Sequence, residues 1–135
     1  MNVEVRYLSR GGNTKRLAEA VARALNVTAQ GVDQPMNGRA DLVFLCASVY
    51  AGSPDKQVTT FVKQNARDIG RLVVLSTSAS GKSTHTKLKA VAEDMGVAVS
   101  DNYFHCPGAF MMLHRNRPNA EDCQRAAAFA LAQLG

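Results

Sequence analysis

Two short stretches of the chain are apolar at almost every position: Leu42 to Val49 (LVFLCASV) and Leu72 to Thr77 (LVVLST). A strand with one wet face alternates apolar and polar residues, whereas a strand covered on both faces need not. Each run is broken by a turn-rich segment and followed by a stretch whose apolar residues recur every three to four positions. Buried strand, loop, amphipathic helix is the repeating unit of a parallel sheet with helices on both faces.

The rest of the chain extends that pattern. Val3 to Leu8 predicts a first strand. Leu17, Ala18, Val21, Ala22 and Leu25 then fall at helical spacing. A weak strand is expected around Val27 to Val32, followed by the loop DQPMNGRAD. Ser53 and Pro54 suit the N-cap and first position of a second helix, with Val58, Phe61 and Val62 facing inward. Leu88, Val91, Ala92 and Met95 line a third helix that Gly96 stops. A last strand is expected within Val97 to Cys106, and PGAFMMLHRNRP reads as irregular. Asn119 caps a final helix whose inner face includes Cys123, Ala127, Ala130, Leu131 and Leu134. The predicted order is β-α-β-β-α-β-α-β-α. The two consecutive strands flanking residues 33 to 41 require a short helix or a long crossover between them, because parallel neighbours cannot be joined by a tight turn.

A chain of 135 residues suits one domain, 1–135, with its own core. No apolar run is long enough to span a bilayer. The opening MNVEVRYLS carries no secretory signal pattern, and Cys46, Cys106 and Cys123 form neither a metal pattern nor a disulfide framework. The expectation is a cytoplasmic protein with reduced thiols, Cys46 lying in the core. His85, His105 and His114 show no metal-ligand spacing. Lys and Arg outnumber Asp and Glu by five, which favours an anionic ligand or partner. The basic residues are scattered without interleaved aromatics, so a nucleic-acid partner is not expected.

Ligands of parallel sheets sit beyond the carboxyl ends of the strands, near a topological switch point. The loops that matter are therefore 9–14, 48–54 and 78–84. In the first, Gly11 and Gly12 let backbone N–H groups approach a ligand, Ser9, Asn13 and Thr14 add polar donors, and a helix N-terminus follows. That composition fits a phosphate cradle and equally fits an ordinary strand-to-helix turn. The third loop, SASGKST, has the Gly-Lys-Ser of a nucleotide-binding P-loop. The first glycine of that motif is replaced by Ser76, inside the strand run, and the other buried strand ends in Ser48 and Val49 rather than a magnesium-supporting carboxylate. A nucleoside triphosphatase is the weakest of the candidate functions.

SRGGNTKRLAEAVA resembles the phosphate loop of flavodoxins, Ser/Thr-x-Thr-Gly-Asn-Thr, at Ser9, Gly12, Asn13 and Thr14. Gly11 departs from the usual Thr, and Arg10 fills the variable place. DLVFLCASVYAGSPDKQVTTFVKQN is similar to the strand, ring loop and helix of the same family, and to that part of flavodoxin-like protoporphyrinogen dehydrogenases. FHCPGAF and NRPNAEDCQRAAAFA resemble the C-terminal part of short-chain members.

The resemblance covers nearly the whole chain. It implies a single-domain, three-layer α/β sandwich with a five-stranded parallel sheet of order 2-1-3-4-5, and FMN as cofactor. It implies that Ser9, Arg10, Gly11, Gly12, Asn13 and Thr14 hold the phosphate. Ser48, Val49, Tyr50, Ala51 and Gly52 would form one wall of the ring site, with Tyr50 stacking on the ring and the Ala51–Gly52 peptide sensing it. Thr77, Ser78, Ala79, Ser80, Gly81, Lys82 and Ser83 would form the other wall. That wall lacks the aromatic and acidic residues common in the family, and Lys82 there implies a less negative potential for full reduction. GAFMMLH reads first as a cover over the last strand or a partner patch, with the substrate side of the flavin pocket as the alternative and Phe110 as the residue to watch there. The implied function is electron transfer with a redox partner protein. The alternatives are an FMN-dependent oxidoreductase of a small quinone-like or porphyrinogen-like substrate, and a flavodoxin-like module without FMN.

Overall fold

The computed structural model describes residues 1–8, 12–48, 55–78, 85–107 and 118–134, without the side chains of Ser48, Ser78 and Pro107. Five parallel strands, β1 (Val3–Leu8), β2 (Ala29–Gly31), β3 (Leu42–Ser48), β4 (Leu72–Ser78) and β5 (Val99–Pro107), form one sheet of order β2-β1-β3-β4-β5. Four helices cover it: α1 (Asn13–Leu25), α2 (Lys56–Gln64), α3 (His85–Asp94) and α4 (Ala120–Ala132). Fold class and strand order are those the sequence implied.

The two apolar runs are β3 and β4, in the middle of the sheet, and their side chains divide between two cores. Val43, Leu45, Leu72 and Val74 pack with Val58, Phe61 and Val62 of α2 and with Leu88 and Ala92 of α3. Phe44, Cys46, Val73 and Leu75 pack with Leu17, Ala18 and Val21 of α1 and with Ala126 and Ala130 of α4. Period-two alternation thus survives in the strands, but both sets are apolar because both faces are covered.

The link from β2 to β3 contains no helix in residues 32–41, all of them described. It is the long crossover, a strap that passes β1 and lays Val32, Met36 and Ala40 on the α2/α3 core. A bare strap carries backbone carbonyls that no helix ladder satisfies. Arg6 of β1, 1% exposed, meets this need. Its Nη1 donates to Gly31 O at 3.1 Å and Gln34 O at 2.5 Å, and its Nη2 donates to Pro35 O at 3.1 Å. Its charge is paired with Glu4 at 2.8 Å, and the guanidinium lies 5.4 Å from the Phe61 ring centroid. In sequence, Arg6 is one more member of a scattered basic set; in the fold it is a buried cross-brace.

Two local expectations are corrected. The N-cap of α2 is Asp55, whose side chain accepts from Gln57 N at 2.8 Å; Ser53 and Pro54 lie outside the described residues. A carboxylate one residue before the helix is a better acceptor at the positive helix end than a hydroxyl further back. On α4, Asn119 caps as expected, in a reciprocal capping box with Asp122. Its buried line, however, is Asp122, Ala126 and Ala130, while Leu131 and Leu134 are exposed at 49% and 37%. α4 packs beside α1, whose buried set includes Ala18 and Ala22, and small residues allow two helices to approach closely.

Candidate functional site

The strands are parallel, so all their carboxyl ends share one edge. Pairings Leu8 with Ala47, Ser48 with Thr77 and Ser78 with Pro107 keep those ends within a residue of level. From neighbouring ends the chain departs in opposite directions. β1 continues into α1 on one face, and β3 into α2 on the other. The crevice between β1 and β3 is therefore the switch point at which such sheets accept ligands.

Gly12 is the N-cap of α1 and has φ +86°, with no side-chain cap. A side chain here would be strained, and a Cβ built on it would meet nothing within 4 Å. The backbone therefore enters the helix past open space. The first internal bond of α1 is Arg16 N to Gly12 O at 3.1 Å, so the helix itself offers no acceptor for the N–H groups of Asn13, Thr14 and Lys15. No acidic residue stands in this first turn. Open space beside Gly12, a first turn without acids and the positive helix end together suit a phosphate group.

Thr14 is fully buried, and its hydroxyl lies 3.2 Å from that of Thr77, which is 2% exposed near the end of β4. The hydroxyl pair ties the loop after β1 to the strand that carries the third loop. Arg16 adds a second tie: its Nη2 donates to Asn13 Oδ1 at 3.2 Å and its Nη1 to Pro118 O at 2.9 Å. Arg has only donors, so it fixes the Asn13 amide with oxygen toward Arg16 and nitrogen turned away. Motif spacing marks Asn13; Arg16 is missed because in the sequence it is simply an exposed basic residue of a helix.

Among the expected site residues, Gly12, Asn13, Thr14 and Thr77 are described with side chains, and Ser48 and Ser78 by backbone alone. The structure brings these six to the carboxyl edge of β1, β3 and β4. Ser9, Arg10, Gly11, Val49, Tyr50, Ala51, Gly52, Ala79, Ser80, Gly81, Lys82, Ser83, Phe110 and His114 lie outside the described residues.

Beneath this edge buried Ser76 pairs with His105 Nδ1 at 2.9 Å; toward the other end of the sheet His85, the first residue of α3, binds the O of Ser100, the second residue of β5, through Nε2 at 2.8 Å. The His85 ring stacks on Tyr103 at 4.3 Å between centroids. Cys46 and Cys106 are buried in the α1/α4 core, and burial drives the Cys46 thiol far above its ordinary pKa. Among the described residues no group of three or more His, Cys, Asp or Glu is placed to hold a metal ion, and no helix is long and apolar enough to cross a membrane.

Residues 5–106 match the family model described as a flavodoxin domain. Solved structures agree in fold. A short-chain flavodoxin associated with a non-canonical PDU bacterial microcompartment is 18% identical, with 99% of this chain and 97% of that one covered and a TM-score of 0.73. A flavodoxin from the domain Archaea is 17% identical, with 98% and 95% covered and a TM-score of 0.72. A flavoprotein from Lactobacillus acidophilus NCFM, solved in complex with FMN, is 16% identical, with 77% and 92% covered and a TM-score of 0.61. Among curated proteins none matches the chain.

Proposed function

Because the chain belongs to the flavodoxin family, we propose that it binds FMN without a covalent bond and carries electrons to and from a redox partner. The observation that carries this reading is the open, acid-free helix entrance at Gly12, set beside the switch between β1 and β3. FMN supplies the redox chemistry when bound; the protein needs to hold it, orient it and exclude water.

The chain's own residues divide that work. Ser9 to Thr14 hold the phosphate, with backbone N–H groups as the principal donors. Asn13 presents its amide nitrogen, held by Arg16 from behind. Thr14 anchors the cradle from beneath through Thr77. Residues 48–52 and 77–83 flank the ring, Tyr50 supplies a flat apolar face, and Lys82 places positive charge near it. No acid or base need be supplied for outer-sphere electron transfer.

The test is direct. The purified chain is mixed with FMN, desalted, and its visible spectrum recorded. Retained, shifted flavin bands are expected, and their loss in the flow-through overturns the reading. Stopped-flow reduction by a quinol, compared with reduction by a protein donor, then separates a carrier from a substrate-converting enzyme; faster reduction by the protein donor is expected.

A further inference from the structure

Arg16 is exposed near the start of α1, and Glu19 stands three residues on, a spacing at which helix ion pairs form. Among the described residues the guanidinium makes no ion pair with it. Its Nη2 donates instead to Asn13 Oδ1 at 3.2 Å, one turn back, and its Nη1 to Pro118 O at 2.9 Å. An exposed cation is thus committed to two neutral carbonyl oxygens. One belongs to the candidate phosphate cradle and the other stands in front of a different helix.

Pro118 is buried and directly precedes Asn119, the N-cap of α4. Asn119 Oδ1 accepts from Asp122 N at 2.9 Å, and its own N–H donates to Asp122 Oδ2 at 2.9 Å. Asp122 is 1% exposed and accepts a further bond from Arg125 at 2.9 Å. The carbonyl that Arg16 reaches therefore adjoins a helix entrance already fixed by its own reciprocal cap. In the same first turn of α1, Thr14 is tied to Thr77 of β4 at 3.2 Å. Asn13 and Thr14 are each anchored to an element outside α1, Asn13 by way of Arg16.

We infer that Arg16 is a positioning residue that couples the phosphate cradle to the entrance of α4, and that it makes the chain prefer FMN to riboflavin. The inference rests on the FMN reading for its ligand and on these two hydrogen bonds for its mechanism. Arg has donors only, so the Asn13 amide turns its oxygen toward Arg16 and its nitrogen away. A donor held before the ligand arrives loses less rotamer freedom on binding. The benefit falls on the phosphate end alone, since riboflavin lacks only that group. Linkage makes the coupling reciprocal: a phosphate that fixes Asn13 also steadies, through Arg16, the start of α4. Simple charge attraction would act differently. It needs a cation of any shape, whereas bridging two oxygens needs the planar fork of a guanidinium.

The experiment uses the full chain with Arg16→Met, Arg16→Lys, Asn13→Ala and the double variant Arg16→Met/Asn13→Ala. Met and Lys are good helix formers, so α1 is retained, which circular dichroism checks. Affinities for FMN and riboflavin are read from flavin fluorescence. Arg16→Met and Arg16→Lys should each lose about tenfold for FMN and less than about twofold for riboflavin. In the Asn13→Ala background, Arg16→Met should cost FMN less than about twofold further, because it acts through Asn13. Hydrogen exchange at the Asp122 and Cys123 amides should slow when FMN binds the wild-type chain, and not when it binds Arg16→Met.

Unchanged FMN affinity in Arg16→Lys, equal losses for FMN and riboflavin, or full additivity with Asn13→Ala overturns the inference. A further arm needs no flavin: inorganic phosphate is titrated against the backbone amide resonances of Asn13, Thr14 and Lys15. Phosphate binding that weakens about tenfold in Arg16→Met, in a chain that retains no FMN, overturns the cofactor reading and upholds the coupling. A chain that retains FMN equally well in Arg16→Met overturns the coupling alone. A chain that binds neither overturns both.

Discussion

The hydroxyl of Thr14, in the first turn of α1, lies 3.2 Å from the hydroxyl of Thr77, near the end of β4, and both residues are buried. Removing one partner breaks a buried hydrogen bond, which costs about 0.5–1.5 kcal/mol. Thr14→Val and Thr77→Val should therefore each lower stability by that order in urea denaturation. The double variant should lose less than the sum, since either single variant already breaks the shared bond. Each single variant should also weaken FMN retention, because the cradle loses its anchor. Strict additivity of the two losses would show that the pair does not act as a unit.

Arg6 is the largest single polar commitment in the interior. Arg6→Met takes the buried charge away from Glu4 and the donor away from three carbonyls, Gly31 at the end of β2 and Gln34 and Pro35 on the strap. A loss of about 3–5 kcal/mol is expected. Hydrogen exchange should quicken first in the strap, residues 32–37, before β3 and β4. A variant with native stability and unchanged strap exchange would contradict this account.

Gly12 adopts φ +86° with open space where a side chain would go. Gly12→Ala should cost about 1–2 kcal/mol from backbone strain alone, without a clash. Gly12→Asn should cost less, because Asn tolerates the left-handed region better. Gly12→Val should be the worst of the three. Thermal unfolding orders them, and FMN titration should follow the same order.

Lys89 and Asp101 form an exposed ion pair between α3 and β5. Lys89 bonding to it holds the Asp101 carboxyl below the usual range, and the same bond raises Lys89. The depressed Asp101 contributes stability above the ordinary carboxylate pKa and loses it as pH falls through its lower folded value. The raised Lys89 contributes below the ordinary lysine pKa and loses it as pH rises through its higher one. Both are solvent-exposed, so the effect should be small and weaken with salt. Carboxyl NMR titration should place Asp101 below an ordinary Asp, and Lys89→Ala should return it to the usual range.

Cys46 and Cys106 are buried, and burial raises the Cys46 thiol strongly, while Cys123 is half-buried and raised less. Iodoacetamide at pH 8 should modify Cys123 slowly and spare the other two until the chain is unfolded. Mass spectrometry of native and urea-treated protein reads this out. Rapid native labelling of Cys46 would contradict its place in the core.

Periodicity and apolar runs were enough to place β1, β3, β4, all four helices and the inward faces of α1 and α2. Those signals are local, and a face covered by another element must be apolar wherever that element comes from. The motif at Gly12, Asn13 and Thr14 was legible for a similar reason: a left-handed N-cap and short polar side chains are demands of the adjacent backbone. Nothing local told that Arg6 would be buried, because its need arises from a strap that meets β1 from more than twenty residues away. The Thr14–Thr77 bond, the hold of Arg16 on Asn13 and Pro118, and the alanine line of α4 likewise exist only once α1, α4 and β4 are brought together. A sequence specifies what each face can tolerate; which faces meet is decided by the packing of the sheet.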